Sequence, residues 1–179
     1  MVLIRQVGGV WHQPEISDYL NEKELQDLVK LSPSLLPGDS PIAVVDEFNV
    51  PGIGSVDLLG VGISGEITIV ECKLRANPEI RREVVGQVFA YAGGLWRMTY
   101  DNFAATFSRR AGKSLMTAVG NLQDGPDDEV EFRQAVTQRL DAGEFRLIIV
   151  VDEITSELKT IVEYLNHNTL RTVQVLALE

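Results

Sequence analysis

Histidine and cysteine are almost absent from this chain: 179 residues contain two of the first and one of the second. His12 and His167 lie far apart in sequence and have no metal-ligand spacing, so both read as structural residues. The lone Cys72 cannot form an internal disulfide, which fits a reducing compartment and a cytoplasmic location. No apolar run approaches the ~20 residues needed to cross a bilayer, so no membrane role is expected. The first residues, Met1-Val2-Leu3-Ile4-Arg5, lack the long apolar stretch and small-residue cleavage site of a signal peptide. An excess of basic charge is missing too. The formal net charge is −10, so the electrostatic footprint that supports most nucleic-acid binders is absent. A local basic patch or a bound cation can still build a phosphate site in an acidic protein.

Repeats, low-complexity tracts and linkers are also lacking. Together with 45% hydrophobic and 23% charged residues, this predicts a single domain over 1–179. Residues 1–20 read as an irregular lead-in with a candidate edge strand, 21–92 as the motif-bearing core, and 93–179 as further helices and a closing β-α-β unit. Asn21 is a good N-cap for a helix over 22–31, with Leu25, Leu28 and Val29 as its apolar stripe and Pro33 ending it. Strands are expected over 42–50, 55–61 and 66–74, joined by tight Gly-containing turns into an antiparallel meander. Asn77-Pro78-Glu79 reads as a helix start, with the helix running to Ala92 and stopping at Gly93-Gly94. Two or three helices follow in 101–142. A buried strand (145–151), a helix (156–166) and a last strand (172–178) complete a mixed central sheet in an α/β, three-layer α/β/α domain.

Alternation along the third strand puts Ile67, Ile69, Glu71 and Lys73 on one face and Thr68, Val70, Cys72 and Leu74 on the other. A carboxylate and an amine thus stand two residues apart on a strand flanked by apolar neighbours. If Leu59 pairs with Ile69, Asp57 on the preceding strand falls opposite Glu71. Two buried carboxylates repel and share a proton unless a hard divalent cation joins them, and magnesium or manganese takes such oxygen ligands. A cation held there polarises a phosphoryl oxygen and acidifies a bound water, while Lys73 orients that water or stabilises developing charge.

Gly54-Ser55-Val56-Asp57, a short spacer and Glu71-Cys72-Lys73 resemble the signature of the PD-(D/E)xK nuclease superfamily. Gly54-Ser55-Val56 stands where the family's name has a proline. Gln87-Val88-Phe89-Ala90-Tyr91 matches the Q-x-x-x-Y of its following helix, and Gln87 and Tyr91 share a helix face. The motifs cover residues 22 to about 92, and the order of elements covers the whole chain. The resemblance implies a restriction-endonuclease-like core and magnesium- or manganese-dependent hydrolysis of phosphodiester bonds in DNA, with RNA as a second candidate. It also implies Asp57 and Glu71 as metal ligands, assisted by the Cys72 backbone carbonyl and by a helix acid, Glu22 in preference to Glu24. Lys73 and Gln87 complete the catalytic set. Lys73, Arg75, Arg81, Arg82, Gln87 and Tyr91 are the expected nucleic-acid contacts, and Arg109, Arg110 and Lys113 are a second basic cluster. Homodimers are common in the superfamily, so a second copy is an expected partner. The competing reading is a catalytically silent interaction module that retains the fold.

Gly112-Lys113-Ser114 looks like part of a phosphate loop, but Phe107 stands where that motif needs its first glycine, and no strong strand precedes it. Alternation turns Cys72 away from the acids, as a small buried hydrophobe rather than a nucleophile.

Overall fold

The computed structural model describes residues 5–7, 10–12, 19–38, 41–74, 83–168 and 173–179. The lead-in holds a small antiparallel hairpin, β1 (Arg5–Val7) with β2 (Val10–His12). Helix α1 (Glu22–Leu31) begins where the Asn21 side chain accepts the Glu24 N–H, a cap worth about 1 kcal/mol. A 3-10 turn at Pro33–Leu35 follows.

Strands β3 (Ile42–Val50), β4 (Gly54–Gly62) and β5 (Ile67–Lys73) form the expected antiparallel meander. Helices α2 (Glu83–Leu95), α3 (Tyr100–Ala111), α4 (Leu115–Gly120) and α5 (Glu129–Ala142) lead to β6 (Phe145–Val151). Helix α6 (Ser156–Asn168) and strand β7 (Val173–Leu178) close the chain. The sheet runs β3-β4-β5-β6-β7, antiparallel through β5 and parallel from β5 to β7. This is the mixed-sheet α/β/α architecture expected. No helix among the described residues is long and apolar enough to cross a membrane.

Two cores lie on the two faces. The larger joins Val45, Phe48, Leu59 and Ile69 to Val88, Phe103, Val136 and Leu158 of α2, α3, α5 and α6. The smaller joins Leu58, Val70, Cys72 and Ile148 to Leu25 and Val29 of α1. β5 is buried on both faces, so any charge on it needs a partner.

Two local expectations are corrected. On α1 the buried set is Leu25, Gln26 and Val29, and Leu28 is 41% exposed. Gly93 and Gly94 do not stop α2, which continues to Leu95. A Cβ on Gly94 would strike the Val50 and Ile53 side chains, so the glycine is needed for the close approach of α2 to the β3–β4 turn. The expected helix start at Asn77-Pro78-Glu79 lies outside the described residues. Gly112, at φ 67°, ends α3, and Ser114 caps α4, so the Gly-Lys-Ser run joins two helices.

Candidate active site

The regular sheet fails at one rung, and Asp57 sits there. β3 and β4 pair at Asp46↔Leu58 and at Phe48↔Val56, but the rung between them, Glu47 with Asp57, is skipped. Glu47 has φ 49°, a left-handed conformation that costs energy in a non-glycine residue. The inward faces slip at the same point. Val45 and Phe48 on β3 share the larger core, and so do Leu59 and Val56 on β4, while Leu58 belongs to the smaller one. Simple alternation therefore does not carry through Asp57.

The β4–β5 ladder has the expected Leu59↔Ile69 register and ends at Leu58↔Val70. Asp57 and Glu71 would form the next rung. Instead the Asp57 Oδ2 accepts the backbone N–H of Cys72 at 2.8 Å, filling in for the ladder. From the α1 side, Gln26 Nε2 donates to the Asp57 carbonyl at 2.6 Å. Gln26 and Glu22, four apart, share a helix face.

Glu71 is only 2% exposed. Its Oε1 lies 3.0 Å from Lys73 Nζ, which is 3.5 Å from Glu22 Oε2. Glu22 Oε1 accepts the Leu74 N–H at 3.3 Å, binding α1 to the end of β5. Glu24 turns elsewhere, accepting the Leu20 N–H at 2.7 Å. The structure thus brings Glu22, Asp57, Glu71 and Lys73 together and leaves Glu24 out.

Burial pushes both strand carboxyls up. Glu71 rises to about 7, through burial first and the Asp57 charge second, against the pull of Lys73. Asp57 is raised by burial, with Glu47 and Glu22 adding to it, against the Cys72 N–H and Lys73. Burial works against the Lys73 ammonium, yet its hydrogen bond to Glu71 and the surrounding acids raise it. Burial and the same acids also push the Cys72 thiol well up, so it is no nucleophile at neutral pH.

Tyr91 on α2 is buried beside Gly54, and its phenol is raised by burial and by the charges of Glu71 and Asp57. Gln87, one turn earlier, has a buried Oε1 with no hydrogen-bond partner among the described residues. Arg75, Arg81 and Arg82 lie outside the described residues. Arg110 lies at the far end of α3, where it binds the Asp46 carbonyl and carboxylate.

Sequence reasoning missed two members of this surround. Gln26 was masked by the apolar stripe assigned to Leu28, although its spacing from Glu22 marked the shared face. Glu47 carried no signal, because its role depends on the skipped rung.

Among the described residues, no group of three or more His, Cys, Asp or Glu side chains stands arranged as a metal cage. The donor chemistry nevertheless fits one hard cation. Two carboxylates are held in a poorly solvated place, and Glu71 Oε2 is buried without a hydrogen-bond partner among the described residues.

No family model matches the chain, and no curated protein matches it. Two solved structures are similar to it over 94% of its length. One is a repair endonuclease from Pyrococcus abyssi, at 15% identity, TM-score 0.40 and 50% coverage of that chain. The other is EndoMS in a complex with dsDNA, at 17% identity, TM-score 0.40 and 48% coverage. The chain therefore spans about half the length of each.

Proposed function

We propose that this protein is a PD-(D/E)xK-type, metal-dependent nuclease that hydrolyses phosphodiester bonds in DNA. The observation that carries the reading is the convergence of Glu22, Asp57, Glu71 and Lys73 at the end of β5, around a buried carboxylate oxygen with no hydrogen-bond partner among the described residues. Holding the buried Glu71 beside the half-buried Asp57, Glu22 and Lys73 costs stability, which a structural ion pair alone does not justify.

Asp57, Glu71 and the Cys72 carbonyl would hold a magnesium or manganese ion, with Glu22 assisting. Such an ion supplies a polarised phosphoryl oxygen and a more acidic water. Lys73, kept protonated by its acids, donates hydrogen bonds to the attacking water and to negative charge that develops on the phosphoryl oxygens. The Cys72 N–H and the Gln26 amide fix Asp57 from two sides, so its orientation precedes substrate binding. Tyr91, which feels the charges of Glu71 and Asp57, and Gln87, one turn before it on α2, would orient the acids and the nucleic acid.

The test is cleavage of end-labelled single-stranded, duplex, branched and mismatched DNA with magnesium or manganese. Wild type is expected to cleave, and Asp57→Ala and Glu71→Ala are expected to abolish it. No cleavage of any substrate, with no metal binding by calorimetry, would leave a silent interaction module with the nuclease fold.

A further inference from the structure

β3 is an outer strand of the sheet, and helices from opposite faces meet around its free edge. α1 sends Lys23 and Lys30, and α3 sends Arg110, to a single carboxylate, Asp46. The distances are 3.8 Å from Lys23, 2.8 Å from Lys30 and 3.1 Å from Arg110. Arg110 also donates to the Asp46 carbonyl at 2.9 Å, capping the open strand edge. Lys113, from the α3–α4 connection, lines the same cavity of about 460 Å³ with Lys30, Asp46, Arg110 and Asn121.

We propose that this basic rim along the free edge of β3 is a track for nucleic-acid backbone phosphates leading to the acid cluster at Asp57. The inference rests on the nuclease reading above and adds to it where the strand runs. One carboxylate cannot saturate these cations: an ammonium carries three donors and a guanidinium five. Asp27 matches Lys23 at 2.9 Å, leaving Lys30, Arg110 and Lys113 against Asp46 and Glu47. That is a local positive excess in a chain of net charge −10. Asp46 is 17% exposed and lies beneath the cations, gathering their side chains while their outer donors face solvent.

The location fits the same reading. Asp46 directly precedes Glu47, the residue across the skipped rung from Asp57. Along α1, Lys30 follows Glu22 by eight residues, a rise of about 12 Å. Successive phosphates of one stacked strand rise about 3.4 Å along the axis, so that span is on the order of three to four phosphate steps. The rival explanation is that Lys and Arg merely protect an edge strand from pairing with other chains. Edge protection makes no demand on salt-dependent DNA affinity, so the two separate cleanly.

The experiment is fluorescence anisotropy of a labelled DNA duplex and a labelled single strand, titrated in calcium buffer at several salt concentrations. Lys30→Gln and Lys113→Gln are compared with wild type, with thermal melts to establish folding. The slope of log affinity against log salt is expected to fall by about one for each substitution and about two for the pair. Lys159→Gln, on α6, controls for the loss of a surface charge and should leave the slope unchanged. Wild-type binding with an unaltered slope in the folded double variant would overturn the track and leave the nuclease reading standing. No wild-type binding to either DNA would overturn the track as well, while the nuclease reading stands or falls with the cleavage and metal-calorimetry test above.

Discussion

The Asp57 carboxylate accepts the backbone N–H of Cys72 at 2.8 Å, at the point where β4 and β5 cease to pair. The side chain therefore replaces a ladder acceptor and supports the sheet as well as the site. An acid committed this way is held in orientation by the strand it faces. The raised carboxyl also means that, without a cation, the buried charge is unwelcome there. Support of the fold and strain from charge meet in one residue, and substitutions can separate them.

Asp57→Ala removes the acceptor and strands the Cys72 N–H, a loss of about 1–3 kcal/mol. Asp57→Asn keeps an oxygen acceptor and drops the unwelcome charge, so in chelator its stability is expected to equal or exceed that of wild type. Both variants are expected to lose magnesium binding and cleavage by more than the ~10–100-fold that removal of an outer partner costs. Denaturant melts beside metal calorimetry check this. An Asn variant that still binds magnesium with wild-type affinity would remove Asp57 from the ligand set.

Glu71 carries the clearest pH signature. Its carboxyl is raised from 4.5 to about 7, so the folded state holds that proton more tightly than the unfolded chain. The resulting stability is fully present below 4.5 and is lost as pH rises through about 7. Glu71→Gln fixes the neutral form. In chelator at about pH 8 it is expected to exceed wild type by about 1–3 kcal/mol, with the gap closing in acid. Added magnesium stabilises wild type by mass action and leaves the variant where it was. Thermal melts across pH, with and without magnesium, read both effects; a gap that does not change with pH would mean that Glu71 carries no costly buried charge.

The strand bounds of β3 and β6 and the start of α1 were legible because local chemistry agrees with the fold: an Asn cap, β-branched runs and tight Gly turns. The acid-acid-lysine set was legible for the same reason, since buried strands make charges conspicuous. Three features were not. Leu28 obeys the helical period, but α1 packs across β3, β4 and β5 with Leu25, Gln26 and Val29 inward, which leaves Leu28 on the outer side. Gly93-Gly94 reads as a stop because helix interiors disfavour glycine, yet packing against Val50 and Ile53 demands it. The Glu47–Asp57 slip depends on two strands failing at one rung, which no single-strand pattern encodes.

Asp46 behaves oppositely to Glu71. Burial works against its charge, but hydrogen bonds from Lys30 and Arg110 win, and the carboxyl falls from 3.8 to about 2. A depressed acid contributes stability that is present above 3.8 and lost as pH falls through about 2. Asp46→Asn is therefore expected to cost about 1 kcal/mol near neutral pH, allowing for solvent screening of the partners. The difference from wild type should shrink through the acid range. Urea melts at several pH values measure it, and a constant difference would mean that the loss is one of packing.

Gln26 is the test of whether the surround of Asp57 matters to function. The side chain is buried, donates to the Asp57 carbonyl at 2.6 Å and accepts from Lys23 Nζ at 3.0 Å. The Asp57 rung is missing from the β3–β4 ladder, and the Gln26 hydrogen bond ties its carbonyl to α1 there. Gln26→Leu keeps the bulk and removes the donor, leaving a carbonyl without this partner at a cost of about 1–3 kcal/mol. Looser support of a ligand residue typically lowers metal affinity by about 10–100-fold. The expectation is therefore two losses together, one in the melt and one in magnesium affinity measured well below the melting range. A variant that melts earlier but binds magnesium as wild type does would confine Gln26 to the fold, because a donor that positions Asp57 for a cation cannot be removed without loosening that cation.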